Sequence, residues 1–171
     1  MRSTLPKVLH PLAGLPLLAH VLNALDAIPA TAAIAPLLST LAAHRPTAVI
    51  GFESEEVERV IGAQCFYAIQ EEQLGTGHAV LAAREVVDAL DPQPEVVLVC
   101  YGDTPLISSE VLARLLVEHL QQRAAVTFLS AMTEQPSDFG RVVRDARGRV
   151  SEIVEMKRAT PEQKLIKEVN S

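Results

Sequence analysis

An α/β fold with a mainly parallel sheet is predicted from three observations. Strand-length apolar runs alternate with helical patterns through about the first 120 residues. The run Glu95-Val96-Val97-Leu98-Val99-Cys100 is apolar without alternation after its first residue, as expected of a strand covered on both faces. The chain has 171 residues, 49% of them apolar and 21% charged, and that length supports one ordinary globular domain without disulfides or a structural metal.

The elements follow in order. Leu17, Leu18, Val21, Leu22 and Leu25 mark one face of a helix from Pro16 to Ala27. A further helical stretch is expected near Pro36–Ala43. Thr47–Ile50 reads as a short strand stopped by Gly51, Glu53–Ile61 as an acid-rich surface helix, and Cys65–Ile69 as the next strand. Gly75-Thr76-Gly77 opens an Ala-rich helix that runs to about Leu90, where Asp91-Pro92 ends it. After the Glu95–Cys100 strand, Tyr101–Pro105 forms the loop at its carboxyl end, and a helix follows with Ser108 or Ser109 as cap and a stripe of Leu112, Leu115, Leu116 and Leu120. Beyond Gln122 strands take over: Ala125–Met132, then a hairpin of Val142–Arg144 and Arg149–Glu155 around Asp145–Gly148. Thr160-Pro161-Glu162-Gln163 carries a capping box, and Ile166–Val169 is a last strand.

Charge excludes one class of partner. The net charge is −6, and the middle of the chain, residues 51–118, holds thirteen acids against three cations. Phosphate-backbone affinity requires clustered Lys and Arg, and with 4% aromatic residues and no Trp base stacking has little to work with. Nucleic acid is therefore not expected as a partner. Cys65 and Cys100 sit in apolar runs and read as buried free thiols of a reducing compartment. Ala27–Ala43, the most membrane-like stretch, is broken by Pro29 and Pro36 and is too short to span a bilayer, which leaves a cytoplasmic location and no membrane partner.

In a parallel α/β sheet, ligands lie beyond the carboxyl ends of the strands, so Gln70–Gly77 and Tyr101–Pro105 are the informative loops. Gly75-Thr76-Gly77 is either a tight strand-to-helix turn or a set of backbone N–H groups offered to an anion or a nucleobase. Asp103 either shapes the Asp-Thr-Pro turn or supplies the carboxylate on which Mg²⁺ is held together with substrate phosphates. Lys7, beside the rigid Pro6, is a solvated surface cation or a phosphate ligand. No Walker A loop, HExxH, GxSxG or CxxC occurs, and the five histidines lack metal-ligand spacing.

Six strings occur in one order: Ser3–Gly14 with Pro6-Lys7-Val8-Leu9-His10, Gln70–Ala79 with Gln73-Leu74-Gly75-Thr76-Gly77-His78-Ala79, Tyr101-Gly102-Asp103-Thr104-Pro105-Leu106-Ile107, Phe139-Gly140-Arg141-Val142, Ile153-Val154-Glu155, and Glu168-Val169-Asn170-Ser171. With these strings the chain resembles the uridylyltransferase domain of the bifunctional N-acetylglucosamine-1-phosphate uridylyltransferase/glucosamine-1-phosphate acetyltransferase family. The resemblance covers nearly the whole chain. It implies a Rossmann-like, GT-A-like nucleotidyltransferase: a three-layer sandwich on a mainly parallel mixed sheet, lacking the family's first strand. It also implies that Lys7 holds the nucleotide phosphates, that Gln70, Gly75 and Thr76 grip uracil, and that Tyr101 and Gly102 line the floor of the site. Asp103 would bind Mg²⁺, and Gly140, Glu155 and Asn170 would contact the N-acetylglucosamine moiety, with Lys7 and Asp103 as the catalytic pair.

The implied reaction is attack by a phosphate oxygen of N-acetylglucosamine 1-phosphate on the α-phosphorus of UTP, giving UDP-N-acetylglucosamine and pyrophosphate for cell-wall precursor synthesis. No covalent nucleophile is needed, because the reacting anion belongs to the substrate and the protein has only to align two anions and neutralise charge. The family's Leu-Ala-Ala-Gly-x-Gly-Thr-x-Met loop would precede Met1 and its β-helical acetyltransferase domain would follow Ser171, so residues 1–171 are expected to be a partial nucleotidyltransferase domain without turnover of its own. Its full-length parent would be a homotrimer. A non-catalytic sugar-nucleotide-binding module and a nucleotidyltransferase for another sugar 1-phosphate are the alternative readings. Asp26–Pro46 departs from the family as an inserted helix or a loose connection.

Overall fold

The computed structural model of the chain describes residues 4–31, 33–35, 45–51 and 55–170. They fall into two compact units, Met1–Val117 and Glu118–Ser171. The helix expected at Pro36–Ala43, and most of the Asp26–Pro46 departure, lie outside the described residues.

In the first unit, Pro6 leads into a 3-10 turn, Lys7–Leu9, and then a short hairpin of β1 (Pro11–Leu12) and β2 (Leu15–Pro16) in the register Pro11↔Pro16. Ala13 and Gly14 both take positive φ, 49° and 87°, as the twist of a two-residue hairpin loop demands. The helix α1 (Leu17–Asp26) starts directly after Pro16 and buries Leu18, Ala19, Val21 and Leu22, the face that the apolar spacing predicts. β3 (Thr47–Gly51) and β4 (Phe66–Gln70) pair in parallel from Thr47↔Phe66 to Gly51↔Gln70. Between them α2 (Glu55–Ile61) carries Glu55, Glu56 and Glu58 in its first turn, where carboxylates favour the positive end of the helix dipole. Leu9, Leu18, Leu22, Ile50, Val57, Ile61 and Cys65 form one buried cluster, so the 3-10 turn, α1, β3 and α2 share a core, and that core fixes where the ends of β3 and β4 point.

Two expectations need correction. The single helix from Thr76 to about Leu90 is two, α3 (Thr76–Ala82) and α4 (Arg84–Asp88). The break is at Ala83, whose N–H reaches the Val80 carbonyl, three residues back, at 3.2 Å. Val80 and Leu81 are exposed, so little packing enforces continuity on a segment that is short for a helix in water. The run 95–100 joins no ladder among the described residues, and its burial alternates, with Val97 and Val99 each more than half exposed. An apolar run encodes the wish to be covered. Its ladder has to come from flanking strands, which the run itself does not specify. Parallel pairing among the described residues is therefore that of β3 with β4. Both cysteines are free, Cys65 buried and Cys100 partly so, and burial pushes both thiols up in pKa.

α5 (Ser109–Gln122) is capped by Ser108, whose Oγ accepts from the Val111 N–H at 3.4 Å, and it buries Leu112, Ala113 and Leu116. In the second unit, β5 (Ser130–Met132), β6 (Arg141–Arg144), β7 (Val150–Val154) and β8 (Glu168–Asn170) form one antiparallel sheet in the order β5-β8-β6-β7. The predicted hairpin is β6–β7, whereas the strand expected over Ala125–Met132 shortens to β5. The predicted capping box is present: Thr160 and Gln163 exchange both hydrogen bonds at the start of α6 (Pro161–Lys164). No helix among the described residues is long and apolar enough to cross a membrane.

A cross-strand fork ties this sheet together. Arg144 on β6 donates through Nε and Nη2 to the two carboxylate oxygens of Glu168 on β8, both at 2.7 Å, and the Ser130 hydroxyl adds a third bond at 2.7 Å. Arg144 first and Ser130 second hold the Glu168 carboxyl down to about 2. A folded pKa below the unfolded one stabilises above the unfolded value and is lost as pH falls toward the folded one. Glu168→Gln is therefore expected to cost about 1 kcal/mol near neutrality, since one partner is well exposed. The difference from wild type should close between about pH 4.5 and 2 in urea titrations. A gap independent of pH would show that the fork contributes nothing.

Candidate functional site

The first unit gathers seven of the ten residues singled out in the sequence. β4 ends at Gln70, whose side chain is only 9% exposed. Its Nε2 donates to the Gly75 carbonyl at 3.2 Å and contacts His78 Nδ1 at 2.9 Å. Gly75 caps α3 with φ 100° and ψ 179°, a region of backbone space open essentially to glycine alone. Nothing lies within 4 Å of a Cβ built there, so the glycine is required by dihedral strain and not by crowding. Its carbonyl accepts at once from Gln70 and from the Ala79 N–H, which locks the loop between β4 and α3 to the first turn of the helix. Thr76 Oγ1 stands 3.5 Å from the Tyr101 hydroxyl, joining this loop to the one that follows residues 95–100.

In that second loop, Thr104 donates its hydroxyl to the Tyr101 carbonyl at 2.7 Å and its N–H to the same oxygen at 3.3 Å. A turn is present, but Thr104 makes it and the Asp103 carboxylate takes no part in it. A Cβ on Gly102 would stand 3.3 Å from both Leu18 Cδ1 and Val8 Cγ1, so this backbone lies flat on α1 and the 3-10 turn. That close approach brings Lys7 to Asp103: Nζ to Oδ2 is 2.5 Å. Lys7 is 61% exposed, and an ion pair this open contributes only about 0–1 kcal/mol, so an anionic ligand can take the ammonium at little cost.

The remaining three residues meet at one end of the antiparallel sheet. Gly140 directly precedes β6, Glu155 directly follows β7 and Asn170 ends β8, with Arg141 opposite both Val154 and Val169. The Asn170 N–H donates to the Gly140 carbonyl at 3.2 Å, and a Cβ on Gly140 would lie 2.6 Å from Asn170 Oδ1. Glu155 is exposed and its carboxylate has no partner among the described residues.

With this geometry in place, a family model described as the MobA-like NTP transferase domain matches residues 1–169. The chain belongs to this family. It is 39% identical to the bifunctional protein GlmU of Geobacillus thermodenitrificans, 42% to that of Streptococcus equi subsp. zooepidemicus and 43% to that of Exiguobacterium sibiricum. Each comparison covers all of this chain and 34% of the relative, so the chain spans about a third of the length of the curated relatives it matches. The α/β elements, with their parallel β3–β4 pair, are those of a Rossmann-like nucleotidyltransferase domain.

Two participants in this NTP transferase domain escape a reading of the sequence. His78 lies within a string that the resemblance rests on, yet its role as the partner of Gln70 shows only in three dimensions. Arg141 is 1% exposed and gives its guanidinium wholly to neutral acceptors: the carbonyls of Pro136, Ser137, Phe139 and Lys164, and Met156 Sδ. A charge at the head of an apolar strand is the one signal that could have marked it. Asp103 fits a Mg²⁺ site of the shared type. One carboxylate oxygen is held by an exchangeable cation, the other has no partner among the described residues, and no group of three or more His, Cys, Asp or Glu there could hold a metal alone. A hard cation bound by one carboxylate completes its shell with water and with phosphate oxygens where a substrate supplies them.

Proposed function

We propose that this nucleotidyltransferase domain serves the transfer of a uridylyl group from UTP to N-acetylglucosamine 1-phosphate, giving UDP-N-acetylglucosamine and pyrophosphate for cell-wall precursors in the cytoplasm. The observation that carries the reading is the Lys7–Asp103 pair, with Asp103 on a loop whose Tyr101 hydroxyl stands 3.5 Å from Thr76, in the loop whose backbone the buried Gln70 amide holds. Lys7 binds nucleotide phosphate, and Gln70, Gly75 and Thr76 hold the uracil. Tyr101 and Gly102 form the floor against which the nucleotide rests. Asp103 would hold Mg²⁺, which when bound with the nucleotide supplies charge neutralisation on the phosphates. Gly140, Glu155 and Asn170 bind the N-acetylglucosamine moiety, Glu155 through its open carboxylate and Asn170 through its amide. Catalysis then rests on alignment and on the charges of Lys7 and Asp103, with no residue forming a covalent intermediate. In a full-length protein carrying the acetyltransferase domain, the assembly is a homotrimer.

Calorimetric titration of the chain with UTP, CTP and ATP at saturating Mg²⁺ tests this reading. UTP should bind most tightly and UDP-N-acetylglucosamine should compete with it. Equal binding of all three nucleotides would refute uridylyl transfer, and competition by UDP-glucose as strong as by UDP-N-acetylglucosamine would favour another sugar 1-phosphate. The sugar end has its own check. In Gly140→Ala the new methyl displaces the Asn170 amide, which is the flexible end of a side chain, so stability should change by less than about 1 kcal/mol. Affinity for UDP-N-acetylglucosamine should fall about tenfold while that for UTP stays level, since only the sugar contact is lost. Parallel loss of both would place Gly140 outside the sugar contacts.

A further inference from the structure

Gln70 is a buried amide whose orientation is determined by its neighbours. Its Nε2 carries two N–H groups. One points at the Gly75 carbonyl, which can only accept, and the other meets His78 Nδ1 at 2.9 Å. Both protons are thus consumed, and the amide oxygen has no partner among the described residues although the side chain is 9% exposed. A buried acceptor left open is costly unless a ligand donor fills it. The bond to His78 also fixes the imidazole: Nδ1 accepts only when the ring is neutral with its proton on Nε2.

We propose that His78 is a positioning residue that holds the Gln70 amide with its oxygen, and not its nitrogen, toward the base, so that the site selects uracil over cytosine. This rests on the reading that Gln70 faces the nucleobase. The N3 position separates the two pyrimidines: it is a donor N–H in uracil and a bare acceptor in cytosine. An amide oxygen accepts from the first and repels the lone pair of the second. Turning the amide over would set its oxygen against the Gly75 carbonyl, and the contact with His78 would survive only if the imidazole moved its proton from Nε2 to Nδ1, so the two neighbours act together, and His78 supplies the part a side-chain change can remove. Discrimination of this kind comes from a polar group that is satisfied by one ligand and left unpaired by the other.

The test compares UTP and CTP binding, by calorimetry at saturating Mg²⁺, in the wild-type chain, His78→Phe and His78→Asn, with thermal melts of each to confirm folding. Asparagine returns an acceptor near the position of Nδ1, whereas phenylalanine keeps the ring and removes it. In His78→Phe the preference for UTP over CTP should shrink about fivefold to tenfold through weaker UTP binding, the effect of one orienting hydrogen bond, and His78→Asn should restore most of it. An unchanged ratio in His78→Phe, an equal loss of both nucleotides, or His78→Asn as impaired as His78→Phe would overturn the positioning role. A wild-type chain without any preference for UTP would instead overturn the assignment of Gln70 to the base, and this role with it.

Discussion

Arg141→Leu is expected to lower stability by about 4 kcal/mol, because the substitution leaves carbonyls of Pro136, Ser137, Phe139 and Lys164 facing an apolar side chain at about 1–3 kcal/mol for each group that water cannot reach again. The usual argument for a buried charge, that it needs a counter-charge, does not describe this residue. Its partners are four carbonyls and one thioether, so the guanidinium works as a hub of donors that gathers the loop 136–139 and the end of α6 around the head of β6. In urea the midpoint should move down by about 2 M for a slope near 2 kcal/mol per M. Arg141→Lys should fall between the two, because three donors on a flexible stem cannot replace five in a planar fork. A Leu variant within about 1 kcal/mol of wild type would mean that water reaches these carbonyls without help. The site is affected as well, since Gly140 lies between the Phe139 carbonyl that Arg141 holds and Arg141 itself.

The second large effect concerns the cation side of the site. In Asp103→Asn the ion pair with Lys7 is lost, and because that pair is open to solvent the stability change should stay within about 1 kcal/mol. Ligand binding should change far more. Wild-type affinity for UTP is expected to rise about tenfold or more when Mg²⁺ replaces EDTA, and in Asp103→Asn that rise should vanish, because a hard cation does not accept an amide in place of its carboxylate without loss. Lys7→Met should instead weaken UTP both with and without Mg²⁺ if, as proposed, the ammonium meets phosphate directly. If Asp103→Asn keeps the full Mg²⁺ effect, the carboxylate is only a partner for Lys7 and the metal assignment is wrong. Comparing the two variants therefore separates the two charges, which the structure shows joined at 2.5 Å.

Local patterns were legible where one segment contains its own answer. The leucine and valine spacing of α1 names the face that is buried, and Thr160-Pro161-Glu162-Gln163 writes out a capping box that forms as written. The β6–β7 hairpin follows from two β-rich runs around Asp145–Gly148. Six of the seven candidate site residues of the first unit were legible as positions in the segments Gln70–Gly77 and Tyr101–Pro105 at the ends of apolar runs, and Lys7 only as a cation beside Pro6. Their contacts were not. Nothing in Gln70 announces that its amide spends both protons on Gly75 and His78, and only its place at the head of an apolar strand hints that Arg141 is among the most buried side chains of the described residues.

The expectations that failed share a cause. Thr76 to Leu90 has the composition of one helix, yet it breaks at Ala83 because little packs on Val80 and Leu81. Residues 95–100 have the composition of a strand covered on both faces, yet half of them face solvent and none enters a ladder among the described residues. Composition states a preference for burial, and only neighbours far along the chain can meet it. The sequence by itself thus determined the α/β class, the helix faces and caps, the hairpin and the loops of the candidate site. Tertiary structure alone decided which runs became strands, that Lys7 meets Asp103 across 96 positions, and which way the Gln70 amide points, because a hydrogen bond or a ladder is fixed by the partner that arrives and not by the residue that waits for it.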